Sequence, residues 1–113
     1  LYLQDIREAC DMIQTFLASM DASGFLASEL HKAATLQKLT VIGEAAARLS
    51  PAFREARPQV EWRDIMAFRN IAVHAYFKVQ RDIVWATATE DVPMVRRQVL
   101  GILQAENLEQ PEQ

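Results

Sequence analysis

From Arg69 to Tyr76 the chain reads Arg-Asn-Ile-Ala-Val-His-Ala-Tyr, which sets a permanent cation, a titratable imidazole and a phenol in one short, otherwise apolar stretch. A guanidinium offers a phosphate a planar fork of donors, and an imidazole exchanges protons near neutral pH. RNA carries its own nucleophile in the 2′-hydroxyl. Cutting it requires removal of that proton, stabilisation of a crowded phosphorane and delivery of a proton to the departing 5′-oxygen. His74 has the chemistry of the base or the acid, and Arg69 that of the phosphate clamp. Asn70 can orient the imidazole or touch the phosphate, and Tyr76 can donate to a phosphate or stack on a base.

One imidazole does not easily perform both proton transfers. Arg69 and His74 are also five positions apart, about 140° around an ideal helix, so a straight helix does not aim both at one point. A bend, a helix end or a second chain has to bring them together. Apolar periodicity fades at Phe77-Lys78, which places residues 74–76 near a helix end or distortion that borders solvent. A twofold dimer would supply two arginines and two histidines to one cleft, and twofold pairing is the commonest homo-oligomer. A homodimer is therefore expected. The same residues also fit a blander reading, in which the arginine lies on a solvated face and the histidine is structural.

With 113 residues the chain is long enough for one domain with a continuous core, expected over 1–108, and 109–113 read as a flexible tail. Half of the residues are hydrophobic and 24% are charged, which suits a globular protein and excludes a disordered one. The net charge of −3 announces no nucleic-acid binder, so any RNA contact has to use a local basic patch. Arg63, Lys78 and Arg81 are the candidates for it. The single cysteine, Cys10, allows no intrachain disulfide and no cysteine-based metal site, which suits a reducing cytoplasm. His31 has no partner at ligand spacing, so neither a metal nor another cofactor is expected. No apolar run approaches the roughly 20 residues of a membrane span. The chain enters helical periodicity at Leu1 without an initiator Met, and native residues are expected to precede it.

The elements that must carry the cluster are helical. Leu3, Ile6, Cys10, Ile13, Leu17 and Met20 mark one face of a first helix, expected to end before Ser23-Gly24. Ala33, Leu36, Leu39, Ile42, Ala46 and Leu49 mark a second, stopped at Ser50-Pro51. Its small residues Gly43, Ala45, Ala46 and Ala47 invite a close helix crossing. That is the simplest reading of Ile42-Gly43-Glu44-Ala45-Ala46, with Glu44 bordering an active cleft as the functional alternative. Between Pro51 and Pro58 a short helical turn is expected, with Pro51 at its first position. A third helix should run from about Trp62 through the cluster, with Ile65, Phe68 and Ala72 or Ile71 inward. A fourth begins near Arg81 or Asp82 and carries Ile83, Val84 and Trp85. Asp91-Val92-Pro93 then read as the cap and first turn of a last helix bearing Val95, Val99, Ile102 and Leu103. Trp62 and Trp85 read as core or interface anchors rather than base-stacking platforms. Strand alternation, hairpin signals and repeats are absent. The fold class is all-α, an antiparallel bundle of about four to five helices.

These residues carry a resemblance. The chain resembles the HepT-like branch of the HEPN ribonucleases, the toxin half of bacterial and archaeal HEPN–nucleotidyltransferase modules. The likeness spans nearly the whole chain, through the Leu-Tyr-Leu-Gln-Asp-Ile opening, Ile42-Gly43-Glu44-Ala45-Ala46, Trp62-Arg63-Asp64-Ile65, and Arg69-Asn70 followed by His74 and Tyr76 in the family's R-x4-H-x-Y pattern. The resemblance implies a homodimer with Arg69 and His74 as the nuclease pair, Asn70 in support, and an RNA cleft between protomers. It further implies metal-independent cutting of RNA, whether tRNA or mRNA, that leaves a 2′,3′-cyclic phosphate. Tyr76 is implied as the hydroxyl to which a minimal nucleotidyltransferase antitoxin attaches AMP from ATP, silencing the toxin with added bulk and negative charge. Two other readings stand beside it. One is a non-catalytic module that docks a nucleotidyltransferase or a nucleotide, and the other is a structural dimer whose Arg and His stabilise the interface.

Overall fold

The computed structural model describes residues 1–76 and 81–109, with side chains for 1–75 and 83–106. Among the described residues there are eight α-helices, one π-helical turn and no strand. The fold is an all-α bundle. Helix α1 (Tyr2–Leu17) buries Leu3, Ile6, Cys10, Ile13 and Leu17, as their spacing predicts. Met20 falls beyond its end and is half-buried.

Helix α1 ends before Ser23-Gly24 as expected, and those two residues lie in a second, short helix, α2 (Ala22–Ala27), that the spacing does not announce. Asp21 explains it, because its carboxylate accepts from the Gly24 backbone N–H at 2.7 Å and so satisfies an amide of the new first turn. Phe25, fully buried, secures this helix in the core and lies 5.3 Å from the Trp85 ring, centroid to centroid.

Helix α3 (Glu29–Arg48) is capped by Ser28, whose hydroxyl accepts from the His31 N–H at 3.2 Å and lies 2.6 Å from Nδ1 of the same residue. His31 is thus engaged in its own helix cap. Leu36, Leu39, Ile42 and Ala46 face inward as expected, but Ala33 is exposed and Thr35 is buried in its place. Helix α4 (Pro51–Glu55) is the short turn expected after Ser50, with Pro51 at its start and the Ser50 hydroxyl accepting from the Phe53 N–H at 3.1 Å. The Arg57 guanidinium lies 3.7 Å from the centre of the Phe53 ring, and the Arg57 carbonyl accepts from Trp62 Nε1 at 3.1 Å. Trp62 is therefore a core anchor with its one polar atom satisfied.

The single helix expected from Trp62 is two, α5 (Trp62–Met66) and α6 (Phe68–Tyr76), separated at Ala67 with φ −69° and ψ −10°. Ile65, Phe68 and Ala72 are buried and Ile71 is half-buried. This break is seated on α3. A Cβ built on Gly43 would stand 3.0 Å from the Arg69 backbone N and 3.1 Å from the Met66 carbonyl oxygen, so the turn occupies the space that a side chain would need. The close crossing anticipated from the small residues of α3 is this contact.

Helix α7 is described over Arg81–Ala86, and the boundary after it is not the expected one. Asp91 is no N-cap. It closes a π-helical turn, Thr87–Asp91, that runs without interruption into α8 (Val92–Glu109). Pro93 supplies the physical reason, since it lacks an N–H and its ring crowds the carbonyl four residues earlier, and the wider turn relieves that conflict without ending the helix. The Asp91 carboxyl is pushed above its ordinary range by burial, then by Glu90 and Asp64, the reverse of what a capping role would do.

Helix α1 packs along α3 and against α8, while α6 lies across α3. Tyr2 and Asp5 line the same cleft as Glu44 and Arg48, so α1 and α3 run antiparallel. Ile6, Ile13, Leu39, Ile42, Val92 and Val99 fill the centre, each worth about 1.5–3 kcal/mol when fully buried. Glu109 closes α8, and 110–113 of the expected tail lie outside the described residues.

Candidate active site on helix α6

The site is built by what α6 hides. Phe68 and Ala72 are buried against the bundle, and Ile71 and Ala75 are half-buried beside them. At about 100° per residue, that inward stripe forces Arg69, Asn70, Val73 and His74 onto the opposite face. All four are exposed. Arg69 and His74 stand at the two edges of this face, with Val73 and Asn70 in the arc between them. Asn70 and His74, one turn apart, share a stripe.

The helix is unbroken from Phe68 to Tyr76, so the bend at Ala67 precedes both Arg69 and His74 and does not turn one towards the other. Of the three ways considered for bringing them together, an internal bend is thereby removed. His74 lies in the last described turn, exposed to solvent as anticipated. Tyr76 is the last described residue of α6; seven positions after Arg69, its register places it on the Arg69 edge. Its side chain lies outside the described residues.

Arg69 is not isolated. Its Nε forms an ion pair with Glu44 Oε1 of α3 at 2.9 Å, with 53% of the Arg69 side chain and 41% of the Glu44 side chain exposed. Glu44 thus pairs with Arg69 and lines a cleft, alongside the close crossing at Gly43. Sequence reasoning placed Glu44 at the cleft without pairing it to Arg69. The signal was present in Gly43, because a residue without a Cβ on a helix face marks where another backbone arrives.

A cleft of about 560 Å³ continues from this pair, lined by Tyr2, Gln37, Thr40, Glu44, Arg48 and Val73 among others. On its other side α6 borders an acidic groove of about 260 Å³, shared with α5 and α8 and lined by Glu61, Asp64 and Asp91. Arg63, proposed for a basic patch, is exposed on α5 between Glu61 and Asp64. Lys78 lies outside the described residues, as does the side chain of Arg81. The structure therefore displays Arg69, Asn70 and His74 on one face of α6, with Glu44 paired to Arg69.

Cys10, the one thiol, is buried and its pKa is pushed up to about 12, mainly by burial, then by Asp11, with Arg96 opposing. It is a core residue and no nucleophile. Among the described residues no group of three His, Cys, Asp or Glu side chains is arranged to hold a metal ion, and no helix is long and apolar enough to cross a membrane.

Comparison with known proteins places the chain in a family. The family model for ribonuclease HepT-like proteins matches residues 6–102. A protein of Methanocaldococcus jannaschii named “Putative RNase MJ1380” is 32% identical over 98 residues, covering 87% of this chain and 90% of that protein. The “Probable ribonuclease HepT” of Thermococcus cleftensis is 33% identical over 95 residues, covering 84% and 86%. The “Putative RNase TTE0752” of Caldanaerobacter subterraneus is 31% identical over 105 residues, covering 93% and 94%. No solved structure is a significant match to the chain. With the matching model spanning all but the ends of the bundle, and with Arg69, Asn70 and His74 displayed together on its α6 surface, the chain belongs to the ribonuclease HepT-like family.

Proposed function

We propose that the protein is the toxin of a HEPN–nucleotidyltransferase module, a metal-independent endoribonuclease that works as a homodimer. The observation that carries this reading is the outward face of α6, where Arg69, Asn70 and His74 are exposed around Val73, itself 55% exposed. An apolar side chain in the middle of a catalytic-type polar set is suited to contact with a second copy of the same face. Such pairing brings two guanidiniums and two imidazoles to one cleft, which overcomes the 140° divergence of Arg69 and His74 on a straight helix.

In the cleft, one His74 takes the proton from the 2′-hydroxyl as that oxygen attacks the adjacent phosphorus. The partner's His74 gives a proton to the 5′-oxygen as its bond to phosphorus breaks. The product pair is a 2′,3′-cyclic phosphate and a free 5′-hydroxyl. Arg69 from each copy offsets the charge that builds on the phosphorane oxygens, and Asn70, one turn before His74, orients the ring. The RNA substrate, tRNA or mRNA, supplies its own nucleophile, so none of these steps calls for a metal.

Control falls to Tyr76. A nucleotidyltransferase antitoxin joins the phenolic oxygen to the α-phosphorus of ATP and releases pyrophosphate. The resulting AMP brings negative charge to the Arg69 edge of α6, where the substrate phosphate has to bind. The test is cleavage of total RNA and a tRNA pool in EDTA by protein shown by mass to be unmodified, beside His74→Ala. Cutting by the wild type alone is expected. A folded wild-type dimer that leaves every RNA intact would sink the nuclease reading and favour a non-catalytic module that docks a nucleotidyltransferase or a nucleotide.

A further inference from the structure

We infer that Glu44 is a positioning residue for Arg69, its carboxylate paired against the Nε edge of the guanidinium so that the two terminal nitrogens are left to the phosphate. This rests on the nuclease reading above. The 2.9 Å contact joins Glu44 Oε1 on α3 to Arg69 Nε on α6. A guanidinium engaged at Nε keeps Nη1 and Nη2, the end-on pair of donors that matches two phosphate oxygens.

The residue before Glu44 fixes the other end of the same side chain. A Cβ on Gly43 would meet both the Arg69 backbone N and Arg69 Cγ at 3.0 Å, so α3 holds the root and stem of the arginine where Glu44 holds its head. Gly43-Glu44 thus act on one side chain from two successive positions. The pair is also half-exposed, at 53% and 41% for its two side chains. An ion pair so open to water adds little to stability, and an incoming phosphate has access to the guanidinium. Orientation is what remains for it to supply, and in the absence of orientation a long, flexible arginine spends much of its time away from the productive geometry.

A carboxylate beside a phosphate site also repels the substrate. Removing it therefore separates two effects that a structural role would not separate: ground-state binding of RNA is unchanged or tighter, while turnover falls. A carboxylate that merely occupied Arg69 and blocked it would behave in the opposite way, and its removal would raise turnover.

The experiment is steady-state cleavage of a defined RNA by full-length wild type, Glu44→Ala, Glu44→Gln and His74→Ala. It is accompanied by binding of a 2′-O-methyl copy of that RNA, which cannot be cut, and by melting and dimerisation of each variant. For Glu44→Ala the expected result is a kcat lower by about 10- to 100-fold with KM not raised, and equal or tighter binding of the uncut RNA. Glu44→Gln, which keeps an oxygen acceptor for Nε–H, should recover part of the loss and decides the matter if the alanine variant does not fold. An active wild type with kcat unchanged or raised in both variants overturns the role of Glu44 and leaves the nuclease reading standing. An inert wild type overturns the nuclease reading, and this inference with it.

Discussion

Among the described residues, two arginine–carboxylate pairs tie one helix to another, and they differ in what surrounds them. Arg96 on α8 donates through Nε to Asp11 on α1, and Asp11 also faces Arg7 at 3.7 Å. Arg69 on α6 pairs through Nε with Glu44 on α3 at 2.9 Å. The Arg96 side chain is 32% exposed, against 53% for Arg69. One carboxylate therefore sits between two cations in the groove between α1 and α8, next to the buried Cys10. The other holds an arginine on a face shared with exposed Asn70, Val73 and His74. The same chemistry serves the fold in the first place and is open to an anion in the second. Exposure and neighbours set the two arginines apart.

That contrast breaks most visibly through activity. Arg69→Ala and His74→Ala should each lower RNA cleavage by about 10²- to 10⁴-fold while the melting temperature and the dimer stay near wild type. An Arg69→Ala protein that loses its dimer instead would make Arg69 an interface residue first. Next in size is Gly43→Ala. Its new Cβ meets backbone rather than a movable side-chain end, so a loss of about 1–3 kcal/mol of stability in urea titration is expected, with a fall in cleavage as Arg69 is displaced. A stable, fully active Gly43→Ala would mean that the α3–α6 crossing gives way freely.

Arg96→Ala sharpens the other side of the comparison. It should cost about 1 kcal/mol of stability, since the pair is only partly shielded, and leave cleavage per folded molecule unchanged. The smallest effect belongs to Asp91→Asn. A carboxyl whose pKa is raised in the fold binds its proton more tightly there than in the unfolded chain. Its contribution to stability therefore declines as pH rises through the raised value, and at neutral pH the charged form is held at a cost. Asp91→Asn should melt slightly above wild type at about pH 7, with the gap closing as pH falls towards about 4. A variant that melts lower at neutral pH would restore a capping role to Asp91.

Much of this architecture is legible in the order of residues. The inward faces of α1, α3 and α8 follow from apolar spacing because each packs one stripe against one core. The cluster is legible too, as residue types on an exposed helix face. What the spacing does not carry is where helices meet. The break at Ala67 has no glycine or proline to announce it; it is set by Met66 and Arg69 settling onto Gly43, more than twenty positions earlier in the chain. The Glu44–Arg69 pair follows from that same crossing and is invisible before it. One short helix goes unannounced and one boundary is misread, each beside a local signal. Asp21 three residues before Gly24 is a capping pattern as well as a breaker pattern, and Pro93 fits a first turn as well as it fits a widened one.

The sealed thiol of Cys10 has a practical consequence. With its pKa pushed to about 12 in the core, it stays silent towards maleimides and methanethiosulfonates under native conditions. The chain is thereby a natural blank for site-directed labelling. One cysteine placed at exposed Val73 would carry a spin label alone, and the dipolar distance between two such labels would measure directly how near two α6 faces come in solution.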